Sequence, residues 1–325
     1  MISRILVALD GSALAESALP HAAAIARAFR SQVTLLRVLE AERRGGGAVD
    51  SAGWRMRKTE AVAYFQQLLA RLHEEGFTAE AEIAEGMSPA EEIVGRARQR
   101  RIDLLVLGSY GRSGPNEFGV GGTAAKVLAR AGLSLLVVRG PVRLAEGGST
   151  ELLYERILVP VDTSQRCDWA LSQAATLARA GGSELVLAHV VQPPWLSQRK
   201  PASARETRLV DKVVELNRAA AEEYLREVEG RFGGADLRIR SELLVSPQPA
   251  RAVHELAERE RVSLVVLSAH GASGSGPWPY GSVAATLLSY GTTPLLILQD
   301  MPQHGRADAE PLLGSSAQSG NGWSR

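Results

Sequence analysis

Arg4-Ile5-Leu6-Val7-Ala8-Leu9-Asp10-Gly11-Ser12 returns 152 residues later as Arg156-Ile157-Leu158-Val159-Pro160-Val161-Asp162-Thr163-Ser164. Ile102-Asp103-Leu104-Leu105-Val106-Leu107-Gly108 returns as Val262-Ser263-Leu264-Val265-Val266-Leu267-Ser268, now 160 residues on. Ser134-Leu135-Leu136-Val137-Val138 returns at the same offset as Pro294-Leu295-Leu296-Ile297-Leu298. Blocks repeated in one order mark a tandem duplication of a single domain. The eight extra residues of the second copy fall between the blocks, most simply within 193–212.

Each copy alternates strand and helix patterns. Ile5–Leu9 is an unbroken apolar run, as a strand covered on both faces requires. Ser12 can cap a helix with Leu14, Ala18, Ala22, Ile25, Ala26 and Phe29 on its apolar face, and Pro20 predicts a kink in it rather than a break. Val33–Leu39 reads as the second strand, and Trp54–Glu74 as an amphipathic helix with Val62, Phe65, Leu68, Leu69 and Leu72 inward. A short strand near Ala79–Ile83 precedes Ser88-Pro89, a cap and first-turn pair. Helix Ala90–Arg100, strand Ile102–Leu107, a glycine-rich loop, helix Thr123–Ala131 and strand Leu135–Val138 complete the copy. This alternation predicts an α/β fold: two tandem αβα domains, each a parallel sheet between helix layers. The domains are placed at 1–140 and 155–300, with a linker at 141–154. The tail 301–325, rich in Gly, Ser, Gln and Asn without periodicity, is expected to be disordered.

Composition agrees with two globular domains. The 325 residues are 45% hydrophobic and 22% charged, with a mean hydropathy of −0.06, and length alone allows two domains of about 150 residues. The 37 basic and 36 acidic side chains leave a net charge of +1, which gives no global attraction for nucleic acid or an anionic membrane. Apolar runs such as Leu133–Val138 fall far short of the roughly 18 residues of a membrane span. The first residues run straight into a strand pattern with no leader signature. Cys167 is the only cysteine, so no disulfide can form within the chain, and a reducing, cytoplasmic location is expected.

In open parallel sheets a ligand crevice lies beyond the carboxyl ends of the strands where strand order reverses. Two loops of each copy belong there. One carries Asp10 or Asp162. The other reads Gly108-Ser109-Tyr110-Gly111-Arg112-Ser113-Gly114 up to Gly121-Gly122-Thr123, and in the second copy Ser268-Ala269-His270-Gly271-Ala272-Ser273-Gly274 up to Gly281-Ser282-Val283. Glycines let a backbone approach a ligand closely, and a helix opening there turns its free amides and positive dipole end toward an anion. A phosphate site is therefore expected at Gly121–Thr123 and at Gly281–Val283.

The Ile-Leu-Val-x-x-Asp-x-Ser opening and the G-x-x-G-x9-G-[S/T] loop resemble those of the universal stress protein family, over both copies. The resemblance implies a five-stranded sheet of order 3-2-1-4-5 in each domain, with the two domains packed as a pseudo-dimer within one chain through their last strands. It also implies ATP, with Mg²⁺, in the crevice between strands 1 and 4, a role in stress response, and an unidentified protein partner. A homodimer of whole chains is left open. Carried over residue by residue, Ala8 and Asp10 would lie near the nucleoside, Val38 against the adenine with Leu107 and Gly108 closing that side, and Gly111, Arg112, Gly121, Gly122 and Thr123 near ribose and phosphates. The second copy offers Pro160, Asp162, Val190, Leu267, Ser268, Gly271, Gly281, Ser282 and Val283. Because an Asp repels a triphosphate, Asp10 and Asp162 are expected to accept hydrogen bonds from ribose or adenine. Three departures stand out. Gly122 takes the place of a hydroxyl residue, Glu117 would oppose phosphate, and Ser268 would bring a side chain where backbone should approach. The loop Ala272–Tyr280 also contains no Lys or Arg, so the first site matches the pattern better.

Other chemistries lack their patterns. Gly119-Val120-Gly121-Gly122-Thr123-Ala124 matches a dinucleotide fingerprint but lies a dozen residues beyond the fourth strand instead of directly after the first. Lys126 comes too late for a P-loop. The histidines His21, His73, His189, His254, His270 and His304 show no metal spacing, and no nucleophile elbow occurs. His270 can touch a ligand or pack its loop, and Cys167 reads as a packed small residue. Arg199-Lys200 and Arg205–Arg208 read as a solvated basic stretch. The expectation is a nucleotide-binding regulator with at most slow hydrolysis and no catalytic residues. An ATP-independent scaffold for protein interaction is the alternative.

Overall fold

The structure, a computed structural model, describes residues 2–40, 51–111, 120–139, 154–194, 203–272 and 279–299. Arg112, Glu117, most of the linker, Arg199-Lys200 and the tail 301–325 lie outside the described residues.

The first half runs β1 (Arg4–Leu9), α1 (Ala13–Glu16), α2 (Ala18–Phe29), β2 (Gln32–Glu40), α3 (Ser51–Glu74), β3 (Glu80–Gly86), α4 (Pro89–Gln99), β4 (Leu104–Gly108), α5 (Gly122–Arg130) and β5 (Ser134–Val138). The second runs β6 (Arg156–Pro160), α6 (Gln165–Gly181), β7 (Glu184–Val191), α7 (Ala204–Phe232), β8 (Arg238–Val245), α8 (Pro249–Arg259), β9 (Leu264–Ser268), α9 (Ser282–Tyr290) and β10 (Leu295–Leu298). All ten strands join one sheet of order β3-β2-β1-β4-β5-β10-β9-β6-β7-β8. Each half is therefore a parallel 3-2-1-4-5 sheet, and the halves meet through β5 and β10. That pair is antiparallel, with Leu296 opposite Leu136, so the pairing expected between two domains occurs inside one chain.

Alternation along the inner strands divides two cores. Ile5, Val7, Leu35, Leu104, Val106 and Leu136 face one helix layer, and Leu6, Leu36, Leu105, Leu107 and Leu135 the other. Each such side chain stabilises the fold by about 1.5–3 kcal/mol when fully buried. Both layers continue through β10 into the second half, so the apolar interior is shared by the two repeats.

Strand register locates the extra residues. Arg4 pairs with Gln32 and Arg156 with Glu184, both at the 152 offset. Thr34 pairs with Glu80, whereas Val186 pairs with Arg240, which has moved to 160. The insertion thus lies between β7 and β8, and α7 is 29 residues long against 24 for α3.

Two sequence expectations change. Pro20 lacks the amide that would bond to the Glu16 carbonyl, and the first helix divides into α1 and α2 at Ser17, which stays right-handed (φ −58°, ψ −17°). Serine stands at the matching position 172, and α6 runs unbroken over 17 residues. On α3, Ala61, Phe65, Leu68 and Leu72 are buried while Val62 is 41% exposed. Val62 falls one residue outside that i, i+4, i+7, i+11 stripe.

Candidate functional site

Both first-strand loops are built alike. Asp10 Oδ1 accepts the Ser12 amide at 2.9 Å and its hydroxyl at 2.6 Å, and Ser12 Oγ accepts the Ala15 amide as N-cap of α1. In the second half Asp162 Oδ1 accepts the Ser164 amide and hydroxyl, and Ser164 caps α6 through the Cys167 amide. Asp162 Oδ2 then reaches the glycine-rich loop, taking the Ala272 amide at 2.7 Å. The aspartate ties its own loop to the loop after the fourth strand. A carboxylate keeps lone pairs beyond these bonds, so it can still meet a ligand hydroxyl from the cavity side.

The glycine-rich loops also close on themselves. The Gly121 amide donates to Ser109 O and the Gly281 amide to Ala269 O, both at 2.7 Å. These amides are consequently withdrawn from any anion. The donors left facing outward are one step further on: Gly122, Thr123 and Ala124 in α5, and Ser282, Val283 and Ala284 in α9. No carbonyl within the helix can take first-turn amides, and neither Gly121 nor Gly281 supplies a capping side chain.

These loops and the ends of β1, β2 and β4 enclose a cavity of about 520 Å³. Ala8, Asp10, Val38, Leu107, Gly108, Gly111, Gly121, Gly122 and Thr123 all line it. The matching cavity of the second half measures about 590 Å³ and is lined by Pro160, Asp162, Val190, Leu267, Ser268, Gly271, Gly281, Ser282 and Val283. Of the expected site residues, Arg112 alone lies outside the described ones. Both cavities sit at the switch point between the first and fourth strands of their half, apolar at the strand end and amide-rich at the helix end.

Ser268 differs from expectation. Its hydroxyl donates to the His270 carbonyl at 2.8 Å, which turns the side chain into the loop rather than across the cavity. His270 is buried, 7% exposed, and packs that loop. Cys167 is buried beneath the Asp162 loop, its thiol pushed up to about 12 by burial, so it is a thiol and not a thiolate at neutral pH.

Beyond Arg112, the cations of the cavities are not among the expected site residues. Arg37 from β2 and Arg57 from α3 line the first cavity, and Arg251 at the start of α8 lines the second. Arg37 is only 8% exposed and lies over the Tyr64 ring, 5.3 Å from its centroid. His189 and Tyr224 hold the matching positions, with ring centroids 6.1 Å apart. There His189 Nδ1 lies 2.9 Å from the Val161 carbonyl, and the Tyr224 hydroxyl donates to the Asp162 carbonyl at 2.6 Å. The recurrence of tyrosine 160 residues apart was the available signal.

Among the described residues no group of three His, Cys, Asp or Glu could hold a metal ion, and no helix is long and apolar enough to cross a membrane.

Comparison with known proteins matches residues 1–139 and 153–299 to the model of the universal stress protein family. Universal stress protein MJ0531 of Methanocaldococcus jannaschii is 28% identical over 145 residues, covering 43% of this chain and 84% of that protein. Universal stress protein YxiE of Bacillus subtilis is 29% identical over 156 residues, covering 43% of this chain and all of that protein. Among solved structures, a universal stress protein from Archaeoglobus fulgidus superposes with a TM-score of 0.66 at 17% identity, over 92% of this chain and 99% of that one.

Proposed function

Because the chain belongs to the universal stress protein family and carries its domain twice, we propose that it is a stress-response regulator that binds adenine nucleotide, with ATP as the ligand of its two cavities. One observation carries this reading. In both halves an apolar strand end and a helix first turn with untaken amides face the same cavity at the switch point. An adenine needs the first and a phosphate chain needs the second.

In the first half Ala8, Val38 and Leu107 would flank the base, Asp10 would accept from the ribose, and the amides of Gly122, Thr123 and Ala124 would take phosphate oxygens. Bound Mg²⁺ would neutralise phosphate charge while keeping much of its water, as that ion does where few carboxylates converge. The protein is read as a binder and not an enzyme. Asp10 and Asp162 are engaged as hydrogen-bond acceptors, and Glu40 and Glu60, which also line the first cavity, have no carboxylate counterparts among the residues that line the second. The self-closed loops also favour a second reading, an ATP-independent cytoplasmic scaffold that presents a surface to a protein partner.

Calorimetric titration of the intact chain with ATP and Mg²⁺ tests the proposal, alongside Gly111→Val and Gly271→Val. Two sites, each lost with its own glycine, are expected. No saturable binding at millimolar ATP leaves the scaffold.

A further inference from the structure

The two halves exchange side chains at the helices that face the cavities. Tyr280 ends the second half's glycine-rich loop, one residue before the N-cap of α9. Its hydroxyl donates to the Leu128 carbonyl at 2.9 Å, in the last turn of α5, whose first turn lines the first cavity. In the opposite direction Arg139, just past β5, sends its guanidinium to the carbonyls of Leu287, Leu288 and Gly291 at the C-terminal end of α9. The first turn of α9 lines the second cavity. Arg139 follows Val138, whose carbonyl takes the Ser109 amide at 2.8 Å and so anchors the first half's loop. Gln299 adds a tie of its own, its side-chain amide donating to the Pro279 carbonyl at 3.2 Å beside Tyr280.

Each anion-facing helix is thus held at its far end by a side chain rooted next to the other half's loop. A nine-residue helix is a stiff rod of about 13 Å, so ordering at its first turn is felt at its last. The donors also suit the charge: an anion at the N-terminus and a hydroxyl or guanidinium at the C-terminus both complement the helix dipole. We propose that Tyr280 and Arg139 are positioning residues that couple the two cavities, so that a phosphate on the first turn of α5 or α9 strengthens binding in the other half. This rests on the nucleotide reading of both cavities. The first ligand fixes one helix and, through it, the described anchor of the other half, Tyr280 before α9 or Val138 with Ser109 after β4. The second ligand then meets that anchor already fixed.

The test is a thermodynamic cycle with ATP and Mg²⁺ on the full chain. Gly122→Asp and Ser282→Asp each close one cavity by charge repulsion. Both should fold, because a Cβ at Gly122 meets open space, Ser282 is exposed, and an acidic residue suits a helix N-terminus. The coupling factor is the two-site association product of the intact chain divided by the product of the two single-site constants. A factor above about 5 is expected, falling measurably when all three titrations are repeated in a Tyr280→Phe background, which leaves only the Arg139 link. A factor of one or below, or one unmoved by Tyr280→Phe, overturns the coupling while leaving the nucleotide reading in place. Absence of binding in the intact chain overturns both.

Discussion

Asp162 and Gly271 meet at the mouth of the second cavity: a Cβ on residue 271 would stand 2.5 Å from Asp162 Oδ2, the oxygen that holds the Ala272 amide. Asp10 and Gly111 stand in the same relation in the first half, closer still. The glycine is required by the carboxylate, before any ligand arrives. Gly271→Ala is therefore expected to push the aspartate off the loop, lowering stability in urea unfolding by about 1–3 kcal/mol. Asp162→Ala should cost a similar amount, and the double variant less than the sum, since the alanine then has room. Strict additivity would show that the glycine answers to something other than Asp162.

Gly122 is the opposite case, because a Cβ there meets nothing within 4 Å. The matching residue of α9 is Ser282. Gly122→Ser should stabilise the chain by about 0.5 kcal/mol by relieving the entropy cost of a helical glycine. Its hydroxyl would add a donor at the phosphate end, tightening ATP at the first site by about fivefold, as one further hydrogen bond allows. Gly122→Ala separates the effects. It should match the stability gain without the gain in affinity, and equal affinity for both variants would count against a phosphate at this position.

The repeat, the alternation of buried strands with helices and the two glycine-rich loops were legible in the sequence, because each depends on local pattern. The strand order and the expected cavity residues, nine of which line each cavity, came instead from the family resemblance. Apolar runs fix buried parallel strands, and glycine clusters after them fix the crevice loops. What was not legible depends on contacts across the sheet. Arg37 and Arg57 reach the first cavity from β2 and α3, elements whose own patterns are ordinary. Ser268 looked like an intrusion until its hydroxyl was seen to bond to His270, a geometry that composition does not encode. Val62 and the break at Ser17 were lost to phase and to one missing amide, differences of a single residue in otherwise correct helices. The Tyr280–Leu128 bond joins residues 152 apart, and no periodicity points to it.

Cys167 gives a direct check on the packing beneath the Asp162 loop. It is buried, and burial pushes its thiol up to about 12. A thiol reagent at pH 8 should leave the folded chain unlabelled over the time in which it labels the urea-unfolded chain once per molecule. Rapid labelling of folded protein would mean that the loop opens readily, and ATP should then slow it.

His21 makes stability depend on pH in a defined window. It is buried on α2, with Nδ1 2.7 Å from the buried Tyr154 hydroxyl, and burial lowers it from 6.5 to about 4. The unfolded chain takes up a proton on this residue below about 6.5, whereas the folded chain refuses it until about 4. The contribution of His21 to stability is therefore full above 6.5, falls as pH drops through the window, and levels off below 4. Its size is on the order of 3 kcal/mol. Carboxylates titrate in the lower part of the same range, so the decisive quantity is a difference between two chains. Gln173 occupies the matching position of α6 and is buried there with its Oε1 unpartnered, so glutamine fits the space at such a position at the cost of an unmade hydrogen bond. His21→Gln is expected to flatten the slope of urea-unfolding stability between pH 6.5 and 4 relative to the parent chain. Parallel slopes would mean that His21 is solvated or protonated in the folded state, contrary to its packing against Tyr154.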